Sequence, residues 1–134
     1  MVDDSDEDYL LVKLAMKKTP RLQLLSQLFN GDEAIAYLSG DGKYGDRNQY
    51  PFPDLLLLDL KMPGLSGFDV LKWIKTRVFE DLVVVIFSGS NERADMTAAL
   101  ELGAHYYQQK QVDYNDQSKA LQQLEFYLVR NSNP

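Results

Sequence analysis

Five polar side chains stand where this sequence could do chemistry. Asp59 follows Leu55-Leu56-Leu57-Leu58, Ser88 follows Leu82-Val83-Val84-Val85-Ile86-Phe87, Lys110 follows the stretch Ala104 to Gln109, and Asp3-Asp4 follow Met1-Val2. The runs before Asp59 and Ser88 read as strands buried on both faces, as inside a parallel sheet, and Ala104 to Gln109 as a weaker strand. A buried strand has no use for a charge in its interior, so each polar residue marks a strand end. Parallel strands point one way, which brings these ends to one edge, where open α/β sheets bind ligands. The expected pocket holds three carboxylates, a hydroxyl and an ammonium. Two carboxylates ~4 Å apart repel by about 4 kcal/mol at an effective dielectric of ~20, so three do not stay ionised together without a cation. Lys110 offsets one charge. The remainder calls for a hard divalent metal, and Mg²⁺ suits carboxylates, a backbone carbonyl and waters. Such a site accepts a phosphoryl group, with a carboxylate nucleophile, metal and lysine on the phosphoryl oxygens, and the hydroxyl as donor.

The elements that must position these residues alternate. A helix with Leu10, Leu11, Leu14 and Ala15 as its stripe has acids at its start and Lys17-Lys18 at its end, and Pro20 closes it. Leu22 to Leu28 reads as a strand, and Asn30-Gly31-Asp32-Glu33 as a turn capping a helix through Leu38. Ser39 to Pro53 is a long polar connection, a candidate recognition surface as well as a spacer. After Asp59, Met62-Pro63-Gly64 breaks the chain and a helix runs from about Gly67 to Arg77 with Phe68, Leu71 and Ile74 on one face. Asn91 is expected to cap a helix carrying Met96, Ala99, Leu100 and Leu102, which Gly103 terminates. A last helix spans roughly Asp116 to Val129 with Leu121, Leu124 and Leu128 on one face, before a polar, frayed tail from Arg130 to Pro134. Strand and helix alternation predicts an α/β class with a parallel sheet and helices on both faces.

Composition narrows the field. At 134 residues the chain reads as one domain, 1–134. The net charge of −6 argues against nucleic acid as the main ligand. No apolar run approaches the ~20 residues that span a bilayer. The chain has no cysteine, which fits a cytoplasmic protein and removes thiol chemistry. The single histidine, His105, rules out a His-rich metal centre and reads as a loop or surface residue. Tyr106 and Trp73 read as packing or interface residues.

Taken in order, Asp3-Asp4, Leu57-Leu58-Asp59 with Met62-Pro63 and Gly67, Ser88-Gly89, and Lys110 resemble the motifs of the receiver domain of two-component response regulators, over almost the whole chain. The long connection before Pro53 looks most like the small stand-alone regulators that partner phytochrome-type histidine kinases. The resemblance implies a flavodoxin-like, doubly wound sheet of five parallel strands in the order 2-1-3-4-5. It implies that Asp59 is the phosphoacceptor, attacking a phosphohistidine of a sensor kinase. Asp4 would bind Mg²⁺ directly, Asp3 through water, and the backbone carbonyl of Lys61 would be a further ligand. Ser88 and Lys110 would hold the phosphoryl oxygens, Tyr107 matches the aromatic switch position, and Lys61 and Ser90 match positions that tune how long the acyl phosphate survives. The chain would be a signalling switch rather than a turnover enzyme. With no output domain in 1–134, it would act through a downstream protein, a later relay partner or a homodimer, by way of the last helix and the strand from Ala104 to Gln109.

Two departures from that pattern stand out. Only Met1 and Val2 precede the acidic pair, so the first strand is truncated, and Gln111 stands where the family has a cis proline. A non-proline cis bond costs ~2.5–4 kcal/mol, which predicts trans here. These departures keep a second reading open, a receiver-like interaction module that takes no phosphate. Aspartate-nucleophile phosphohydrolases need an aspartate where Lys61 stands, and flavodoxins need a Ser/Thr/Gly phosphate loop where this chain has an acidic run.

Overall fold

The computed structural model describes residues 1–132. Helices α1 (Asp6–Ala15) and α2 (Gly31–Ser39) precede strand β1 (Leu55–Leu58). Then α3 (Gly67–Lys75), β2 (Val83–Ser88), α4 (Arg93–Glu101), β3 (Tyr106–Gln109) and α5 (Tyr114–Ser132) follow in alternation. The sheet is parallel in the order β1-β2-β3, with Leu57 opposite Val85 and Ile86 opposite Tyr107.

Alternate side chains of these strands build two cores. Leu56, Leu58, Val84 and Ile86 pack with Ala34, Tyr37 and Leu38 of α2, Val70 and Leu71 of α3, and Ala99 of α4. Leu57, Val85 and Phe87 face the other way, against Val12 and Ala15 of α1 and Leu121 and Leu124 of α5. Helices thus cover both faces, as the double-sided apolar runs require. Each such side chain, fully buried, contributes roughly 1.5–3 kcal/mol relative to exposure.

The first expected strand is as short as its truncated sequence predicts, and the second does not form. Among the described residues three strands form, not five, and Leu22 to Leu28 is not a strand. Val2 alone makes a parallel bridge to Leu28 on one side and to Leu58 on the other. The physical reason is pairing: a strand exists only where a neighbour supplies donors and acceptors, and beside Leu22 to Leu28 lie only Met1 to Asp3. There the Leu28 amide donates to the Met1 carbonyl at 2.8 Å and the Asp3 amide to the Leu28 carbonyl at 2.8 Å. Between Leu22–Ser26 and Leu55–Leu57 lies a cavity of about 270 Å³.

Helix details also differ. In α1, Val12 and Ala15 are buried while Leu10 and Leu14 of the expected stripe are exposed, because the helix docks on both the sheet and α5. In α4 only Ala99 is buried, and Met96 and Leu100 are exposed. Asn91 does not cap α4; the N-cap is Glu92, whose amide donates to the Ser90 hydroxyl at 3.2 Å. Asn30 does cap α2, accepting from the Glu33 amide at 2.8 Å. Gly103, at φ +104°, ends α4 as expected. The tail from Arg130 is helical to Ser132; its last two residues lie outside the described residues.

The long connection after α2 is packed rather than merely displayed. Tyr37, Tyr44 and Tyr50 form a ring cluster, with Tyr37 and Tyr44 centroids 4.9 Å apart. The Tyr37 hydroxyl donates to the Pro51 carbonyl at 2.7 Å and the Tyr44 hydroxyl to Glu33 Oε2 at 3.0 Å. Burial, then the Glu33 carboxylate beside it, pushes the Tyr44 hydroxyl up to about 12. His105 is an exposed residue, yet its Nδ1 accepts from the Val84 amide at 3.0 Å and so ties β3's approach to β2.

Candidate functional site

The strand β1 gives out at Leu58, and Asp59 is the first residue past its buried run, 6 % exposed. Its position is fixed from behind. The Asp59 amide donates to the Val2 carbonyl at 3.0 Å, and the Gly67 amide donates to the Leu60 carbonyl at 2.9 Å. A Cβ on Gly67 would lie 2.3 Å from the Asp59 carbonyl oxygen, so only glycine lets α3 begin this close to the strand end. Ser66 then caps α3 in a capping box with Asp69.

Lys110, just past β3, reaches back to this carboxylate. Its Nζ lies 3.2 Å from Asp59 Oδ2, 2.7 Å from Asp3 Oδ2 and 2.8 Å from Asp8 Oδ2. The Asp3 contact is an ion pair set off the direction of a hydrogen bond, and Asp3 Oδ2 has no hydrogen-bond donor among the described residues. Asp3 is buried, and its other oxygen accepts from the Ser5 amide at 2.9 Å. Asp59 Oδ1 faces the Lys61 amide at 3.4 Å.

These contacts set the electrostatics. Burial first, and then the neighbouring Asp3 charge, raise the Asp59 carboxyl above the ordinary carboxylate range, against the opposing pull of Lys110. Burial works to discharge Lys110, but its close contacts with the Asp3 and Asp8 carboxylates and the fields of Asp59 and Asp3 outweigh it, so its ammonium is held more firmly than usual.

Ser88 closes β2, is buried, and sits on the same edge: its carbonyl accepts from the Lys110 amide at 2.7 Å and its hydroxyl from the Ser90 amide at 3.3 Å. Asp59, Lys61, Ser88, Ser90 and Lys110 line one open cleft of about 430 Å³, together with Asp8. Asp3, Asp4 and Asp59 each offer a carboxylate oxygen within 4.8 Å of the others, Asp4 from an exposed position. Three hard oxygen donors so close, one of them buried without a hydrogen-bond donor, fit a hard divalent cation with room for waters. Tyr107 lies half-buried beside this edge, its hydroxyl donating to the Ser90 carbonyl at 2.8 Å. Ser90 in turn donates to Asp95 Oδ2 at 2.7 Å.

Two residues of this region carried no signal that singled them out. Asp8 looks in sequence like one more acid in the first turn of a helix, where the macrodipole alone accounts for it. Gln117, buried in α5, accepts from the Gln111 amide at 2.8 Å. A proline at 111 would have no such N–H; with glutamine there, the peptide bond is trans, as expected, and Gln117 takes up the extra donor.

Comparison with known proteins identifies the family. The family model described as the response regulator receiver domain matches residues 1–122. Response regulator Rcp1 of Synechocystis is 32 % identical over 130 residues, covering 96 % of this chain and 86 % of that protein. The nitrate/nitrite response regulator NarL of Escherichia coli is 31 % identical over 123 residues, covering 92 % of this chain but 52 % of its own, so the chain spans about half of NarL. Among solved structures, the phosphorylated cyanobacterial phytochrome response regulator RcpA superposes with a TM-score of 0.86 at 26 % identity, over 98 % of this chain and 93 % of that one. The Mn²⁺-bound form of Rcp1 gives 0.80 at 32 % identity, over 98 % and 94 %. The chain belongs to the family of response regulator receiver domains.

Proposed function

We propose that this chain, as a single receiver domain over 1–134, accepts a phosphoryl group from a histidine kinase onto Asp59 in a Mg²⁺-dependent reaction. The observation that carries the reading is the Lys110 ammonium held 3.2 Å from Asp59 Oδ2, beside three carboxylates whose oxygens lie within 4.8 Å. In the proposed step an Asp59 oxygen attacks phosphorus, a P–O bond forms, and the P–N bond to the kinase imidazole breaks. The electron pair leaves with the imidazole nitrogen. Lys110 holds one phosphoryl oxygen and the Ser88 hydroxyl donates to another, each offsetting charge that has left the kinase. Asp4, Asp3, Asp59 and the Lys61 carbonyl would hold Mg²⁺, which supplies the remaining positive charge. The three strands with the Leu28 and Leu58 bridges to Val2 support the 2-1-3-4-5 order in reduced form.

The switch reading rests on Tyr107. Its hydroxyl is tied to the Ser90 carbonyl, two residues beyond Ser88, so a shift of Ser88 toward the phosphoryl group releases or redirects the ring. Lys61 and Ser90 line the same cleft and are proposed to set the lifetime of the acyl phosphate. The names of the relatives point to a phytochrome-type kinase as donor. A downstream protein, or a second copy, would read the β3–α5 face, where Phe126 is exposed. Among the described residues no helix is long and apolar enough to cross a membrane, in keeping with a cytoplasmic site of action.

The test uses a small phosphodonor with Mg²⁺ and intact-mass measurement. The parent chain should gain one phosphoryl mass and Asp59→Asn none. An unchanged parent mass would instead favour a receiver-like interaction module.

A further inference from the structure

Lys110 is shared by more carboxylates than the proposed phosphotransfer needs. Asp3 and Asp59 belong to the cluster whose oxygens converge within 4.8 Å, but Asp8 does not. Asp8 arrives from the first turn of α1, 102 positions away in sequence, and joins the cluster only by accepting from Nζ at 2.8 Å. Its side chain is 41 % exposed, whereas those of Asp3 and Asp59 are nearly closed off. Lys110 therefore has two addresses: an inner one on the Asp3–Asp59 oxygens and an outer one on Asp8.

A divalent cation and an ammonium compete for the inner address. A cation drawn to the Asp3 and Asp59 oxygens repels an ammonium lying 2.7 and 3.2 Å from those atoms. Without a second partner, the ammonium would either resist the cation or swing out to water, away from the place where a phosphoryl oxygen must be held. We infer that Asp8 is a positioning residue, holding the Lys110 ammonium at the rim of the cleft while a divalent cation takes the Asp3 and Asp59 oxygens. The inference rests on the reading of the cleft as a divalent-cation site and adds to it the residue that makes lysine and cation compatible.

Replacing Asp8 acts on cation binding through two effects of the same sign. One negative charge near the cation is lost, and the ammonium returns to the oxygens the cation needs. The test is calorimetric titration of the full chain with Mg²⁺ alone, for the parent, Asp8→Asn, Asp8→Glu and Asp6→Asn. Asp6 carries the same charge two residues earlier in the same helix turn, but its partner is Gln27 at 3.2 Å. Asp8→Asn should weaken Mg²⁺ binding about three- to ten-fold, the scale of one partly screened charge near a divalent ion. Asp8→Glu should restore most of the affinity, Asp6→Asn should stay within about two-fold because its charge is screened and unpaired with Lys110, and all four chains should melt cooperatively. If the parent binds Mg²⁺ and Asp8→Asn matches Asp6→Asn, the role of Asp8 is overturned while the site stands. If the parent takes no Mg²⁺, the reading of the site falls, and the role of Asp8 falls with it.

Discussion

Replacing Lys110 by methionine tests whether the acidic cleft is held together by one ammonium. The side chain is 14 % exposed and meets carboxylate oxygens at 2.7, 2.8 and 3.2 Å. At an effective dielectric of ~20 each such contact is worth about 5–6 kcal/mol of Coulomb attraction, most of it cancelled by the desolvation of the ions. Asp8 is half in water and is discounted. What methionine leaves behind is Asp3 and Asp59, buried, alike in charge and without a cation. Breaking a buried ion pair typically costs ~3–5 kcal/mol, and we expect the lower end because Asp59, already raised above the usual carboxylate range, relieves the repulsion by protonating. For a chain of this size, about 3 kcal/mol lowers Tm by roughly 10 °C. The pH dependence has a definite sign. A lysine whose pKa is raised in the fold contributes stability in full below its unfolded value near ~10.5, so the parent keeps this contribution throughout the neutral range. The deficit of the variant comes from carboxylates forced to ionise, so it is largest near neutrality and closes as the pH falls to about 4. Added Mg²⁺ should stabilise the variant more than the parent, since it finds the oxygens uncontested. Thermal melts at pH 4 and 7, with and without Mg²⁺, read all of this. A deficit under about 1 kcal/mol at neutral pH, or one of equal size in acid, would refute the reasoning, since a broken buried pair costs several times that.

Two further substitutions probe the same edge of the sheet. Gly67→Ala sets a methyl group 2.3 Å from the Asp59 carbonyl oxygen and 2.8 Å from the Leu60 Cα, both backbone atoms that yield only if α3 shifts. A loss of about 3 kcal/mol in urea unfolding is expected, and a change under ~1 kcal/mol would show that the helix start has slack. Asp59→Asn removes a carboxylate whose pKa is raised mainly by burial, so its charge opposes folding above its unfolded value and not below it. The variant should therefore melt a few degrees higher at pH 7 and lose that advantage near pH 4; a lower melting point at pH 7 would contradict it.

The edge of the sheet was legible because a buried parallel strand tolerates no charge. Where Leu55–Leu58 met Asp59 and Leu82–Phe87 met Ser88, the buried run ended, β3 gave out before Lys110, and parallel pairing put Asp59, Ser88 and Lys110 on one side. Gly67 and the turn before it were legible for a similar local reason. The segment from Leu22 to Leu28 misled because its composition suits a strand, while its pairing along the truncated first strand is confined to the hydrogen bonds of Leu28 with Met1 and Asp3. The stripe of α1 misled for a related reason. Ala15 of that stripe is buried, but docking against both the sheet and α5 left Leu10 and Leu14 outside and turned Val12 inward.

The sequence by itself determined the alternation of elements from β1 onward, the type of each strand-end residue and the crowding of carboxylates at one edge. These follow from periodicity and from the cost of burying charge, both of which act locally or by count. Only the tertiary structure decided that Asp8 shares Lys110, that Gln117 receives the Gln111 amide, and that Tyr107 is tied to the Ser90 carbonyl. Each of these joins atoms from different elements at hydrogen-bond range, and such a meeting is set by how helices dock on the sheet, which no local spacing encodes.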